Sequence, residues 1–419
     1  MNTSQATSEA NWKAKWGWAL FDWASSPVPT LHATFVFAVY FSTTIAPDNG
    51  TVLWAQMTAI TSLLIALLSV FAGRFADSKG LIKHALTISL LIGALSVMGL
   101  WYAEPSSGFI LYALLLSALS IFMMEIGFVF YNALLVHLVP TEKMGRLSGI
   151  AWGIGYVGAV IALSLALAIF ILPEQAPFGL DKAQAEHVRA TMIFAGLWAI
   201  IFYIPLFLFV KSPPATPQEG RYLTQVKQAI QDARSIPDMI RFLIARMAFN
   251  DGLVTLFALG GIFAAKVFGF TQTEILIFAI ALNISAGLGA IGGGWADDRL
   301  GALPTIRYAL IGLMICGTIA ICAPSKEVFW AATVILGLFV GPCQSASRSY
   351  VARRAPEDSK ASLFGLYMLS GKATSFIGPL LYGWLVYFTG IERAGMAIVI
   401  ILVVIGYVLL PKDKETSRS

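Results

Sequence analysis

Apolar stretches of about 20 or more residues recur along this chain, at roughly 16–41, 52–73, 85–103, 109–138, 147–172, 190–210, 241–267, 273–295, 303–323, 328–351, 361–388 and 394–410. As a helix rising about 1.5 Å per residue, each is long enough to cross about 30 Å of hydrocarbon. Lipid offers no hydrogen-bonding partners, so a spanning backbone must satisfy its own amides and carbonyls. Twelve such runs therefore predict an all-α integral membrane protein. Composition agrees, with 58% of the 419 residues hydrophobic and only 12% charged. Soluble domains carry about 25% charged residues, and disordered chains lack this much apolar area. Both classes are excluded.

Lys and Arg divide unevenly between the two faces of such a chain. The face that holds the N-terminus receives twenty of the 28, among them Lys13, Arg74, Lys79, Lys83, Arg146, Arg299, Arg353 and Lys412. The opposite face receives five: Lys182, Arg189, Lys266, Lys326 and Arg393. Under the positive-inside rule both termini are cytoplasmic, which requires an even number of spans. The net charge of +5 belongs to this bias, and no nucleic-acid partner is implied. The first run carries Asp22 and is too long for a signal h-region, so it is expected to remain as a span. Cys316, Cys322 and Cys343 have no C-x-x-C spacing and are expected to be packed hydrophobes, not metal or redox ligands.

The chain also repeats itself. Gly73-Arg-Phe-Ala-Asp77-Ser-Lys79-Gly80 follows the second span, and Gly293-Gly-Trp-Ala-Asp297-Asp-Arg299-Leu-Gly301 follows the eighth, an offset of 220 residues. Pro140 matches Pro356, and Gly149 and Gly155 match Gly365 and Gly371, each at 216. Asp22 and Asp251 correspond at 229. Inverted or parallel repeats of this kind build many transporters. The expected organisation is a cytoplasmic tail (1–15), a six-helix bundle (16–210), a cytoplasmic linker (211–240), a second six-helix bundle (241–411) and a tail (412–419). Within the linker, Tyr222, Leu223, Val226 and Ile230 fall at helical spacing. They fit either a surface amphipathic helix or a floppy connector.

The G-x-x-x-D-x-x-G segments resemble the loop motif of the major facilitator superfamily, with Ser78 in place of its first basic residue and no basic tail in the second copy. Other segments are similar to one branch, the vacuole-effluxer-like family, which is related to fungal autophagy-linked vacuolar amino-acid exporters. These are Gly17-Trp-Ala-Leu-Phe-Asp22-Trp-Ala24-Ser25, Tyr131-Asn-Ala-Leu-Leu135, Gly145-Arg-Leu-Ser-Gly149, Phe249-Asn-Asp251-Gly252, Ser347-Arg348-Ser349 and Leu369-Ser-Gly371-Lys372-Ala-Thr374. The resemblance implies twelve transmembrane helices in two pseudo-symmetric six-helix bundles, the major facilitator fold. It also implies gating by the loop motif, through Gly73, Asp77, Lys79, Arg146, Asp297 and Arg299. Asp77 would cap the start of span eleven near Ala361–Phe364, as an anion suits a helix N-terminus.

Six ionisable groups fall inside the expected spans: Asp22, Glu125, Arg246, Asp251, Arg348 and Lys372. Each costs about 2.5–3.5 kcal/mol at a helix centre on insertion scales, so each should face a cavity or a partner. Glu125 and Lys372 lie nearest mid-span. One reading makes Lys372 the anchor for a substrate carboxylate and Glu125 its counter-charge or a protonatable group. Helices one, four, seven and ten line the cavity in the resembled fold, which adds Asp22, Tyr131, Asn132, Asn250, Asp251 and Arg348 to the substrate-binding set. Proton coupling would rest on Glu125, Asp22 or Asp251. The other reading pairs Glu125 with Lys372, or Asp251 with Arg246, as structural salt bridges. His32 and His137 fit either proton coupling or plain packing. The glycines at 149, 153, 155 and 158, and at 287, 289, 292, 293 and 294, suit close helix contact.

No G-x-x-x-x-G-K-[ST] loop is present, hence no ATP motor. Nor is there a nucleophile elbow or a zinc pair, so no enzyme, cofactor or metal is expected. The function expected is secondary active transport of a small polar solute, zwitterionic or anionic and amino-acid-like. It would proceed by alternating access with proton coupling, in a monomer in a bacterial inner (plasma) membrane. Its partners would be that solute, protons and membrane lipids. A permease for cell-wall fragments or another metabolite is the alternative within transport. A non-transporting sensor or lipid-handling protein is the alternative outside it.

Overall fold

The computed structural model describes residues 3–139, 141–212, 222–354, 356 and 360–412. Side chains at 3–11, 69–71, 73–78, 136–137, 141–146, 148–149, 222–226, 228, 352, 360–362 and 364 fall outside that description. The first half holds α1 (Thr3–Ser25), α2 (Gly50–Ser78), α3 (Ile82–Gly99), α4 (Ile110–Leu138), α5 (Thr141–Ala166) and α6 (Glu186–Phe209). A connector helix, α7 (Tyr222–Ser235), follows. The second half holds α8 (Met239–Phe268), α9 (Gln272–Leu300), α10 (Ala302–Cys322), α11 (Lys326–Arg354), α12 (Lys360–Ala373), α13 (Ile377–Thr389) and α14 (Glu392–Leu409). Among the described residues no strand occurs.

Eleven segments among the described residues are long and apolar enough to cross a membrane. The remaining expected span, 361–388, is present but broken, because α12 stops at Ala373 and α13 starts at Ile377. Pro379 explains part of the break. Its ring would collide with a carbonyl one turn earlier in a continuous helix, yet in the first turn of α13 its missing N–H costs nothing. Counting the two pieces as one span gives twelve. The first span is irregular as well. After α1, Pro27–Pro29 form a single turn, and wide π turns occupy Thr30–Phe35 and Phe41–Ile45. Their i→i+5 bonds are visible as Val36 N to Leu31 O (2.9 Å) and Ala46 N to Phe41 O (2.8 Å).

By contacts, the chain divides into two units. The first comprises Met1–Met57, Leu67–Gln218 and Ala264–Ile280; the second comprises Thr58–Ala66, Glu219–Phe263 and Ala281–Ser419. In the first, Trp18, Phe21, Leu86, Leu90, Phe130, Leu134 and Leu206 make the core. Ala264–Ile280 is tied into that unit by Lys266 Nζ donating to Pro47 O (2.5 Å) and Gln272 Nε2 donating to Val36 O (3.2 Å). Phe242, Phe249, Leu310, Val351, Tyr367 and Val403 centre the second core. Its connector α7 packs on α12, with Ala229 and Ala233 buried.

The outward faces are as apolar as the cores. Leu111, Ile291 and Phe388 are 67%, 77% and 78% exposed, which suits acyl chains and not water. Of the glycines expected to permit close approach, only some do so. A Cβ on Gly155 would stand 2.7 Å from Ser26 Oγ and 3.1 Å from Asp22 Cβ, and one on Gly293 would lie 2.6 Å from Pro342 Cα. Gly158 and Gly289 are similarly crowded, by Trp23 and Leu338. By contrast, Gly153, Gly287, Gly292 and Gly294 meet nothing within 4 Å. They are not contact points.

Candidate functional site

In the first unit, α1 and α4 bring Asp22 and Tyr131 together. Tyr131 Oη donates to Asp22 Oδ2 at 3.1 Å, and both residues are buried. The tyrosine is held on all sides. Trp18 and Phe21 each stack on its ring with centroids 4.3 Å apart, and Trp18 Nε1 donates to the Tyr131 carbonyl at 2.9 Å. One turn of α1 thus supplies both stacking rings and the carboxylate.

Glu125 and Asn132 are different. They are seven residues apart, about two helical turns, and so share one face of α4, whereas Tyr131 lies about 120° away from Glu125. Glu125 is half-buried and Asn132 exposed. The sequence reading placed all four residues in one cavity-lining set. The structure separates a packed pair, Asp22 and Tyr131, from a more open face, Glu125 and Asn132. His32 is packed: it is buried, with Nε2 2.9 Å from Ser117 Oγ. The side chain of His137 lies outside the described residues.

The second unit organises around the broken span. Both carboxylate oxygens of Asp251, on α8, face the Gly378 amide, at 3.2 Å (Oδ1) and 3.1 Å (Oδ2). That amide is an unpaired donor of the first turn of α13, so Asp251 caps a half-helix within the membrane span. Asp251 is only 1% exposed. Arg246, five residues earlier on α8, donates to Tyr367 O (2.9 Å) and Ser370 Oγ (3.0 Å) on α12 and lies 3.7 Å from the centre of the Tyr367 ring. Asn250 Nδ2 donates to Gly371 O at 2.9 Å, and Thr374 Oγ1 to Met247 O at 3.4 Å. Helix α8 thereby ties down both sides of the break. Asp251 and Arg246, which one sequence reading paired with each other, spend their hydrogen bonds on α13 and α12 instead.

Glycine is required at Gly378. A Cβ there would run into Thr255 Oγ1 and stand 3.1 Å from Asp251 Oδ1. Arg348 and Lys372 are half-buried. Lys372 occupies the last turn of α12, and its carbonyl accepts from Ser375 N (3.3 Å) and Ser375 Oγ (3.0 Å) at the break. Gln344, one turn before Arg348, lies 3.5 Å from Asn250 Oδ1 through its Nε2. Sequence reasoning missed Tyr367, Ser370 and Gly378. The clue to Gly378 was the run Thr374-Ser375 followed by Gly378-Pro379 inside an apolar stretch.

Of the six gating residues expected, the surroundings of Gly73 and the side chains of Asp77 and Arg146 lie outside the described residues, and Lys79 is exposed. Asp297 is buried and meets Arg353 of α11, with Nη1 to Oδ1 at 3.4 Å. The same guanidinium reaches Asp298 at 3.6 Å. Arg299 instead lies over the Trp295 ring, 3.7 Å from its centre. By sequence alone Arg353 reads only as a topology-setting charge. Among the described residues, no group of three or more His, Cys, Asp or Glu side chains is placed to hold a metal.

Residues 53–415 match the family model described as vacuole effluxer Atg22 like. An uncharacterized MFS-type transporter, YxiO of Bacillus subtilis (strain 168), is 25% identical over 421 residues, covering 96% of each chain. Autophagy-related protein 22-1 of Neosartorya fischeri is 25% identical over 270 residues, which is 57% of this chain and 43% of the fungal one. Among solved structures, a mutant of the nucleoside transporter NupG has a TM-score of 0.70 at 14% identity, covering 94% of this chain and 98% of that one. A bacterial homolog of the human lysosomal transporter Spinster has a TM-score of 0.70 at 15% identity, covering 96% and 95%. These likenesses show the fold, twelve transmembrane helices in the major facilitator arrangement. The match over most of its length makes this protein a multi-pass membrane transporter and not an enzyme, and the chain belongs to the Atg22-like vacuole effluxer family.

Proposed function

We propose that this transporter carries a small zwitterionic or anionic solute, amino-acid-like in its charges, by alternating access coupled to protons. The observation that carries the proposal is the placement of opposite charges in membrane-spanning helices without full burial. Glu125 is half-buried on α4, and Arg348 and Lys372 are half-buried on α11 and α12. Charged groups are retained at such depth where they meet a polar partner or solute. Lys372 would bind the solute carboxylate, with Arg348 and Asn132 contributing. Glu125 would face the solute ammonium or take the coupled proton.

Asp22 with Tyr131, and Asp251 with the Gly378 amide, hold helices in place through contacts that protonation of a carboxylate would change, so Asp22 and Asp251 join Glu125 as proton-accepting groups. At the loop motif, Gly73, Asp77, Lys79, Arg146, Asp297 and Arg299 would gate, with Arg353 as the partner of Asp297. The division into bundles 16–210 and 241–411, the monomeric state, cytoplasmic termini and a bacterial inner membrane complete the proposal.

Its first test is a ligand-stabilisation screen of the purified protein against amino acids, peptides and sugars. A solute at about 100 times its Kd adds about 2.7 kcal/mol to the folded state. Amino acids or related charged solutes should raise the unfolding temperature, and neutral sugars should not. Stabilisation by sugars alone would defeat the charge argument.

A further inference from the structure

The second unit holds an open cavity of about 470 Å³ where the end of α7, the start of α8 and the end of α14 meet. Its polar rim carries Arg234, Arg241 and Asp238, and its apolar wall includes Ile240, Ile244 and Leu409. Two spans fix its depth. Met239 opens α8 and Leu409 closes α14, and both helices are membrane-crossing by length and composition. The cavity therefore sits where hydrocarbon gives way to headgroups. Ile244 is 50% exposed, and both arginines are exposed.

The walls are held in place. Ala233 of α7 is buried in the unit's core beside Met239 and Phe242. Arg354 Nη1 donates to Pro237 O at 3.4 Å, pinning the turn between α7 and α8. Arg241 donates from Nε to Leu409 O at 2.9 Å, satisfying a carbonyl at the end of α14. That bond orients the guanidinium and leaves the outer fork, Nη1 and Nη2, as the donor pair suited to phosphate.

We infer that this cavity binds an anionic phospholipid, its phosphate between Arg234 and Arg241 and an acyl chain along Ile240, Ile244 and Leu409. Two guanidiniums against one carboxylate leave net positive charge at the rim, which favours an anionic headgroup over a zwitterionic one. The apolar wall favours a ligand with a chain over a soluble phosphate. Seated there, the lipid bridges the connector helix α7 to α8 and α14. This site is independent of the solute and of proton coupling.

The test uses the purified full-length protein with three probes: phosphatidylglycerol, phosphatidylcholine and glycerol 3-phosphate. Binding is read by native mass spectrometry and by the shift in unfolding temperature. Phosphatidylglycerol should bind and stabilise, phosphatidylcholine should bind at least about fivefold more weakly, and glycerol 3-phosphate should do neither. Arg234→Gln and Arg241→Gln should each weaken phosphatidylglycerol binding about fivefold, the scale of one interfacial basic residue. Asp238→Asn should tighten it, a gain that a misfolded variant would not show. Equal binding of the two lipids, or unchanged phosphatidylglycerol binding in the double arginine variant, would overturn the site. Binding of glycerol 3-phosphate as tight as that of the lipid would overturn the assignment to a lipid.

Discussion

Replacing Lys372 by Met is expected to abolish solute-dependent stabilisation and transport while leaving the protein folded. The fold should survive because the Lys372 carbonyl, which accepts from Ser375 at the break between α12 and α13, is a backbone group that the substitution keeps. Methionine keeps an unbranched stem of similar length, so packing around the last turn of α12 is preserved. What is lost is a charge-assisted contact to a carboxylate, worth about 1.5–3 kcal/mol, or roughly 10- to 150-fold in affinity. Solute titrations followed by unfolding temperature measure this directly. Equal solute affinity in Lys372→Met and the parent would remove Lys372 from the binding set, and with it the main argument for a carboxylate-bearing solute.

The second large effect belongs to Asp251. Asp251→Ala should lose about 1–3 kcal/mol of stability, because the Gly378 amide is then left unpaired in a buried site. Asp251→Asn keeps a side-chain oxygen for that amide and should recover most of the loss, as asparagine is also a good helix cap. Asparagine holds no exchangeable carboxyl proton, so it separates the two roles. If Asp251 only caps α13, Asp251→Asn transports normally. If it also accepts a coupling proton, Asp251→Asn binds solute but loses dependence on the proton gradient. Unfolding temperatures for the three proteins, side by side, check the capping role; an alanine variant as stable as the parent would refute it.

The spans were legible because hydrocarbon thickness and backbone hydrogen bonding act on every residue of a run at once. A broken span is harder to read. Residues 361–388 are continuously apolar enough to pass as one helix, and the break depends on Pro379 and on a carboxylate 127 residues away in sequence. Pairing was the least legible level. Asp22 and Tyr131 were both singled out, yet nothing in their spacing tells that they touch, since that depends on how α1 is rotated against α4. Arg246 and Asp251, five residues apart on α8, looked like a local ion pair; the donors and acceptors of α12 and α13 offered each a partner that a linear reading does not display. Arg353 was hidden for another reason, since a basic residue at a span end is already explained by topology. The glycines divide similarly: Gly155 and Gly293 meet a neighbouring helix while Gly153 and Gly294 do not, and only the helix rotation separates them.

Proteoliposomes containing the parent protein, loaded with a pH-sensitive dye and given whichever charged solute stabilises it, test the central claim most directly. The account predicts that solute entry moves protons across the bilayer, that Lys372→Met stops both fluxes, and that Asp251→Asn or Glu125→Gln uncouples them. Solute movement with no accompanying proton movement in the parent, or full transport by Lys372→Met, would contradict it.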